Sequence, residues 1–503
     1  MNPLRRLTSA AVALATTVPL ATVLSAPAVS AGPCSEMFGN FGSLLEHRTG
    51  AGMAAGSLGS LGSAGSAGPD GSVGSASRAL GSADRSGSLV QQLETGSLGN
   101  IISGSLNPVT GSVYGMPPWI TGEQGTVPVL RGPTQFLQLV TGPTSPTESI
   151  NRFGVAGTDL GIMWDNGDAA DPQILMAFGD TMGDCTVPGN QWRSNVLFRS
   201  STPAEALGDG ITIDSAATGP DGLAKSIVPR SHLPGEVTTI PTAGISVDGV
   251  QYLRFMSVAQ WGQPGSWTTN YSGLAYSEDN GENWEVVPAM ARPITDTVPA
   301  GDGAPPVDAA WRGAQMSAFL TAEGYLYEYL TPSGRQGAPV LARVPEADVL
   351  DPGDYEYWDG TGWVPDVRDA ETVMPGPVSE MSVMWNAHLG KYTAMYSQGF
   401  DSVVLRTADH PEGPWSRSTS LIDYSMLPGV YGAFMHPWAQ GEDLYYLVTT
   451  WNAYNVFLVR TKLSEIAVHG FHRASEPAVP ATTTEVVRQV PVSELVDGKV
   501  PTS

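Results

Sequence analysis

Short apolar stretches recur along the middle of the chain and are separated by turns containing Gly, Asp, Asn or Pro. The stretches are rich in β-branched and aromatic residues and show no sustained helical period, which is typical of strands and hairpins. One pattern of a first strand, a turn, a second strand and a third strand occurs five times. The second strands begin at Ile174, Tyr252, Tyr325, Lys391 and Asp443, and the third strands at Ser194, Ser272, Pro339, Ser402 and Asn455.

Five repeats of a small meander predict an all-β fold, namely a five-bladed β-propeller in which each blade buries its faces against its neighbours. Two local motifs favour this fold. The segment "SEDNGENW", Ser277 to Trp284, resembles the Asp-box hairpin of sialidase-type propellers. The segment "TADHPEGPWS", Thr407 to Ser416, resembles the outer hairpin of arabinanase-like propellers. We expect both segments to be structural turns.

The ends of the chain lack this pattern. Two arginines precede an apolar run that ends in small residues, which predicts a secretory signal peptide over residues 1–31. Residues 32–131, dominated in their central part by Gly, Ser, Ala and Leu, predict a disordered low-complexity tether. Residues 474–503 predict a flexible tail. The propeller should therefore occupy residues 132–473.

The signal predicts a protein that is secreted, either extracellular or associated with the cell wall, and we expect a monomer with no membrane span. The two cysteines, Cys34 and Cys185, could close one disulfide in an oxidising exterior or stay as free thiols. Lipid attachment at Cys34 is a minor alternative that Pro33 disfavours. The spacing of the cysteines matches no zinc site, so we expect no metal and no cofactor.

The balance of charge restricts the class of partner. The net charge is −24, from 49 acidic and 25 basic residues. Nucleic-acid binding depends on Lys and Arg side chains that displace counterions from phosphate, so this composition argues against a nucleic-acid partner. A neutral polysaccharide meets no such objection. Taken alone, the acidity is also explained by the solubility of a secreted protein.

The first strand of each propeller blade lines the central channel, so its opening residues should face one pocket. Aligning the five first strands places at similar depth Asp159, Thr242, Gln315, Glu380 and a residue near Phe434. Two carboxylates in an otherwise neutral ring match the needs of glycoside hydrolysis. Asp180, after the second strand of the first blade, is a third acid that could orient its neighbour or raise its pKa. The alternative for each acid is a structural role, bonded to backbone amides or to an ion.

Other side chains are candidates for contacts with a sugar. The polar candidates are Gln315, His436, Asn195 and Asn270. The aromatic candidates are Trp261, Trp267 and Tyr271, on a loop that contains Gly and Pro. Aromatic faces on such loops stack on sugar rings, and core packing is the alternative. A single histidine is more often a satisfied structural group than a ligand.

Long segments of the chain resemble one known family over about Val140 to Leu463. They include "GTDLGIMWDNG", "LMAFGDT", "WRSNVLFRS", "GPVSEMSVMWN" and "HPWAQGEDLYYLVTTWNAYNVFLVRTKL". These segments resemble the domain-of-unknown-function 4185 family, which is recognised as glycoside hydrolase family 183. This resemblance implies an endo-D-arabinofuranase that cleaves internal α-D-arabinofuranosyl linkages of cell-wall arabinan, in arabinogalactan and lipoarabinomannan.

The strand alignment and the analogy with arabinanase-like propellers together assign a role to each acid. Glu380 would be the general acid, Asp159 the base or nucleophile, and Asp180 a modulator of pKa. Retention or inversion stays open, because it depends on the distance between the carboxyls. A non-catalytic carbohydrate-binding propeller of the cell envelope is the main alternative, since a fold does not fix a function. A sialidase is disfavoured, because no Phe-Arg-Ile-Pro-like opening accompanies the single Asp-box.

Overall fold

The computed structural model describes residues 125–184, 191–231, 233–262, 265–297, 303–399, 402–451, 453–466 and 484–502. Within these ranges the chain forms 24 β-strands, one short α-helix and several 3-10 turns. The prediction of an all-β chain is confirmed. The signal peptide, both cysteines and most of the tether lie outside the described residues.

The described residues begin with β1 (Thr126–Arg131), β2 (Thr134–Leu139) and the helix α1 (Ser149–Phe153). Antiparallel sheets then follow in chain order. The first sheet contains β3 (Leu160–Asp165), β4 (Ile174–Phe178), β5 (Val196–Ser200) and β6 (Ser215–Ala216). The second contains β7 (Thr238–Val247), β8 (Val250–Trp261), β9 (Trp267–Ser277), β10 (Glu285–Val286) and β11 (Arg292–Pro293).

The third sheet contains β12 (Met316–Ala322), β13 (Tyr325–Thr331), β14 (Val340–Pro345), β15 (Glu356–Trp358) and β16 (Trp363–Val364). The fourth contains β17 (Ser379–Asn386), β18 (Lys391–Gln398), β19 (Ser402–Ala408) and β20 (Thr419–Asp423). The fifth contains β21 (Val430–Met435), β22 (Asp443–Thr450) and β23 (Asn455–Lys462), and β2 from the start of the chain completes it. A separate two-stranded sheet pairs β1 with β24 (Glu485–Pro491).

One strand of each of the five sheets, namely β3, β7, β12, β17 or β21, is here called its inner strand. The inner strands contact one another in circular order. Contacts join β3 to β7, β7 to β12, β12 to β17, β17 to β21, and β21 back to β3. Every residue of β4 and β5 is buried, and β4 is apolar throughout. Strands that pack on both faces show near-continuous apolar runs in place of strict alternation. The second-strand pattern read from the sequence thus reflects sheets that stack face to face.

In four of the inner strands, the pairing register with the neighbouring strand shifts near the first residues of the strand. The register shifts between Leu160 and Ile162 in β3, and between Pro241 and Ala243 in β7. It also shifts at Glu380 in β17 and between Tyr431 and Phe434 in β21. A β-bulge adds an unpaired residue and turns nearby side chains to a new direction. These bulges decide which side chains of the inner strands meet at this end of the sheets.

Both ends of the described chain differ from the predictions. Residues 126–131, predicted within the tether, form β1, and residues 485–491, predicted within the flexible tail, form β24. The physical reason is burial. The C-terminal segment buries apolar side chains in the same cluster as Phe136 and Phe457, namely Val490, Val492, Leu495 and Val500. Because these residues are scattered among polar ones and prolines, they form no recognisable strand pattern.

Candidate active site

Asp159, Asp180 and Glu380 lie near the ends of strands in the first and fourth sheets. Asp159 precedes β3 and Asp180 follows β4, and the N–H of Gly179 donates to the backbone carbonyl of Asp159 at 3.1 Å. Glu380 is the extra residue of the bulge in β17, with a φ of 28° in the left-handed region. A glutamate in that region is strained, and such strain persists only where the surroundings hold it in place. The bulge therefore fixes the direction of Glu380.

The carboxyl of Asp159 is held in its protonated form. Burial raises the pKa of Asp159 to about 8, and the carboxylates of Asp180 and, more weakly, Glu380 act in the same direction. The hydroxyl of Tyr431, which donates to Oδ2 at 3.0 Å, and Arg335 oppose the rise. A carboxyl with a pKa near 8 keeps most of its protons at neutral pH. The other oxygen, Oδ1, is buried and has no hydrogen-bond partner among the described residues.

The carboxylate of Glu380 is bound to an arginine from another sheet. Nε and Nη2 of Arg335, on the loop between β13 and β14, both donate to Oε1 of Glu380, at 2.8 and 2.5 Å. The guanidinium carbon of Arg335 lies 4.6 Å from the ring centroid of Tyr431 and 5.7 Å from that of Trp267. Within the described part of the chain, Oε2 of Glu380 is buried without a partner. One oxygen of Glu380 is thus fixed by Arg335, and the other has no partner among the described residues.

Asp180 is buried and positioned by two neighbouring sheets. Oγ1 of Thr238, at the start of β7, donates to its Oδ1 at 2.7 Å. The hydroxyl of Tyr454 donates to its backbone carbonyl at 3.1 Å. After burial, the charge of Asp180 is the largest cause of the raised pKa of Asp159, so the environment of Asp180 acts on the protonation of Asp159.

Tyr431 and Arg335 were missed by the sequence analysis. The strand alignment pointed to a residue near Phe434, but the bulge in β21 shifts the register, and Tyr431 contacts Asp159 instead. Arg335 lies outside the inner strands, on a loop whose backbone is bonded to Gly265. No repeat pattern covers such a loop, so only the tertiary structure identifies this residue.

Trp267 lies beside Arg335, the partner of Glu380, and Trp261 packs against Trp267. Both indoles also pack in the apolar cluster that contains Tyr271. Trp261 and Trp267 stand opposite each other across β8 and β9, with ring centroids 5.8 Å apart, and Trp267 faces Arg335. Nε1 of each indole is buried, and among the described residues neither has a hydrogen-bond partner. Tyr271 is buried in the core, with its ring edge-to-face on Phe255 at 6.0 Å. Tyr271 therefore follows the core-packing alternative.

Three of the polar candidates have structural partners. The amide of Asn195 donates to Val228 and Thr239 carbonyls and accepts from two backbone N–H groups. Gln315 donates to Trp311 and Arg292 carbonyls and accepts from Thr269. Asn270 donates to Ser257 Oγ at 3.1 Å. All three side chains are buried, and their hydrogen bonds hold loops in place.

His436 lies apart from the acids. It follows β21 at the end opposite to Tyr431, and its Nδ1 accepts from the N–H of Trp438 at 3.3 Å. Burial lowers the pKa of His436 to about 3, so the ring is neutral. In the described ranges no group of three or more His, Cys, Asp or Glu residues is placed to hold a metal ion. Nor does any helix there have the length and apolar character to cross a membrane.

The fold and the site together define an all-β protein with a buried acidic site at the ends of its inner strands. Residues 144–460 match the family model described as "Domain of unknown function (DUF4185)", and the chain belongs to that family. Notoamide biosynthesis cluster protein J of Aspergillus sp. (strain MF297-2) is 30% identical over 336 residues, which is 61% of this chain and 82% of that protein. Notoamide biosynthesis cluster protein J' of Aspergillus versicolor is 32% identical over 334 residues, 61% and 84% of the two chains.

Three of the matching solved structures resemble the chain weakly. A putative hydrolase from Bacteroides ovatus has a TM-score of 0.41 at 16% identity, covering 61% of this chain and 86% of that one. Zg3597, a family 117 glycoside hydrolase produced by Zobellia galactanivorans, has a TM-score of 0.40 at 12% identity, covering 69% and 98%. The α-L-arabinofuranosidase PaAbf62A from Podospora anserina has a TM-score of 0.35 at 10% identity, covering 65% and 96%. Likeness at this level does not transfer a function.

Proposed function

We propose that this protein is a glycoside hydrolase and that Asp159, Glu380 and Asp180 form its catalytic site. The observation that carries this proposal is a protonated carboxyl, Asp159, held beside carboxylates whose positions other side chains fix. Cleavage of a glycosidic bond needs one carboxyl to protonate the leaving oxygen and a second to act as base or nucleophile. The buried oxygens Asp159 Oδ1 and Glu380 Oε2 are the atoms we expect to face the sugar.

The proposed roles reverse those expected from the strand alignment. Asp159, with its pKa near 8, is the general acid. Glu380, bonded to Arg335, is the carboxylate that acts as base or nucleophile. Asp180 keeps Asp159 protonated through the repulsion between like charges. If Asp180→Asn proves more damaging than Glu380→Gln at the optimal pH, Asp180 and not Glu380 is the second catalytic carboxylate.

We further propose that the five sheets are the blades of one five-bladed β-propeller. Support comes from the circular order of contacts between inner strands and from the completion of the fifth sheet by β2. In such a ring the acids at the start of β3 and β17 and the end of β4 would meet at one mouth of the central channel. The pairing of β2 with β23 would close the ring.

The proposed substrate is α-linked D-arabinan of the cell wall, cut at internal linkages by a secreted monomer. Membership of the DUF4185 family and the resemblance to glycoside hydrolase family 183 support this choice. The net charge of −24 disfavours anionic polymers, and Trp267, which faces Arg335 and packs against Trp261, would supply an aromatic face near Glu380. The D and L sugars present opposite-handed hydroxyl patterns to these fixed groups, so we expect little action on plant L-arabinan.

Product analysis tests this function directly. Purified protein is incubated with mycobacterial arabinogalactan and with sugar-beet arabinan, and the products are separated. We expect short oligosaccharides from the first polymer and little release from the second, with Asp159→Asn as the inactive control. Equal turnover of both polymers, or monosaccharide as the sole early product, would contradict internal cleavage of D-arabinan. Binding without release of reducing ends would instead identify a non-catalytic carbohydrate-binding protein.

A further inference from the structure

A second cluster of buried charges lies between the second and third sheets. It contains two arginines and one glutamate, which leave a net charge of +1. Arg254 of β8 donates from Nε to Oε1 of Glu328 at 3.0 Å. Arg292 of β11 donates from Nη1 and Nη2 to the two oxygens of Glu328, at 2.8 and 2.7 Å. All three side chains are buried. Arginine stays charged in proteins, so two cations face one carboxylate.

Two hydrogen-bond donors in this cluster have no partner. Nη2 of Arg254 and Oγ of Ser272 are both buried, and no described residue accepts from either. The other two nitrogens of Arg254 each have an acceptor, since Nε donates to Glu328 and Nη1 to the carbonyl of Met290 at 2.8 Å. A buried donor without an acceptor is costly, and more so on a charged group.

The strand register places these two donors on the same face of the second sheet. Ser272 of β9 stands opposite Met256 of β8, two residues from Arg254, and opposite Arg292 of β11. Paired residues point to the same side of an antiparallel sheet, and so do residues two apart along a strand. The hydroxyl of Ser272 therefore belongs to the face that carries both guanidinium groups and that reaches Glu328 in the third sheet.

From this arrangement we propose a binding site for a small monovalent anion, chloride in ordinary buffers, on Nη2 of Arg254 and Oγ of Ser272. An anion balances the excess charge and accepts from both donors, whereas a water molecule would satisfy the donors and leave the charge unpaired. Aromatic rings near Arg292, Trp311 at 5.5 Å and Tyr355 at 6.0 Å, offset part of its charge but offer Arg254 no acceptor. Both donors of the proposed site lie in the second sheet, so the anion would bind on the face of that sheet that meets the third.

Bromide substitution locates the anion. Crystals of the full chain are grown with sodium bromide in place of sodium chloride, and data are collected at the bromine absorption edge. We expect an anomalous peak within hydrogen-bond distance of Arg254 Nη2 and Ser272 Oγ. Peaks on the surface alone, which would mean an adventitious ion only, or no peak at all, would overturn the proposal.

Thermal unfolding provides a second readout. At matched ionic strength we expect the Tm in sodium chloride to exceed that in sodium gluconate by roughly 2–4 °C, because chloride binds only the folded state and gluconate is too large for a buried site. Ser272→Ala should reduce this difference, and Arg254→Met, which leaves a neutral pair of Arg292 and Glu328, should abolish it. Thr147→Val, which removes another buried hydroxyl without a described partner, is the matched control. Equal Tm values in the two salts, or a difference that survives both variants, would contradict the anion.

Discussion

Glu380 and Glu328 are both carboxylates paired with arginine inside the fold, but they differ in what is left unsatisfied. Glu328 accepts from Arg254, from both terminal nitrogens of Arg292 and from Ser317, at 2.6 to 3.0 Å. Burial alone would raise the pKa of Glu328, but the two arginines outweigh it and lower the pKa to about 2. Glu380 uses one oxygen and leaves the other without a described partner. A buried ion pair is a candidate for chemistry when one oxygen of its carboxylate has no hydrogen-bond partner. When both oxygens are bonded, the pair is a structural tie, which holds neighbouring strands together.

Removal of the charge of Glu328 should produce the largest effect on stability. Glu328→Gln leaves two buried guanidinium groups without their carboxylate, and breaking such a buried pair costs about 3–5 kcal/mol. The free energy of unfolding, measured by denaturant titration, should fall by that amount. The matched control is Glu356→Gln, which breaks the more exposed pair with Arg343 and should cost less than about 1 kcal/mol. Similar losses in the two variants would mean that Glu328 is not a structural tie.

Neutralising an acid of the candidate active site should affect activity more than stability. Asp159→Asn and Glu380→Gln keep the shape of each side chain but remove its proton transfer or its nucleophile, so kcat should fall on the order of 10²-fold or more. The Tm of Asp159→Asn should change little, because the side chain that it replaces, with its pKa near 8, is largely uncharged at neutral pH. Glu380→Gln also breaks the ion pair with Arg335 and should lower the Tm, but by less than Glu328→Gln, which leaves two arginines without their carboxylate. Steady-state kinetics on D-arabinan measure the change in kcat, and thermal unfolding of the same preparations measures the change in Tm. Near-normal kcat in either variant would remove that residue from the catalytic site.

The pH profile should show a smaller effect that distinguishes the acid from the base. If protonated Asp159 is the general acid, activity should decline as pH rises through about 8, because the acid loses its proton there. Arg335 lowers the pKa of Asp159, so Arg335→Met should move this basic limb to higher pH, while Arg335→Lys should move it less. The measurement is kcat/KM against pH on a soluble arabinan fragment. A basic limb that stays in place in Arg335→Met would show that Asp159 does not set it.

Sequence reasoning located the repeated strands and the three acids of the candidate active site. The strands were found because residues such as Ile174 to Phe178 are apolar throughout, and Asp159, Asp180 and Glu380 because charge is unusual at the ends of such strands. Arg335 and Tyr431 could not be found in this way. One lies on a loop and the other is placed by a bulge, and neither leaves a periodic signal. The contribution of β24 was missed for a related reason, since its packing depends on partners from the other end of the chain.

The completion of the fifth sheet by β2 has a consequence for how the protein folds. The side-chain hydroxyls of Thr134 in β2 and Thr461 in β23 are 2.9 Å apart, yet 327 positions separate the two residues in the sequence. A chain emerging from the ribosome therefore carries β2 as an unpaired edge until almost all of the remaining strands have been made. Contacts of such long range form slowly, and an open edge is a site of aggregation in the meantime. Chaperone protection of the nascent chain should matter most for this strand, and a chain that stops before β23 should aggregate instead of folding.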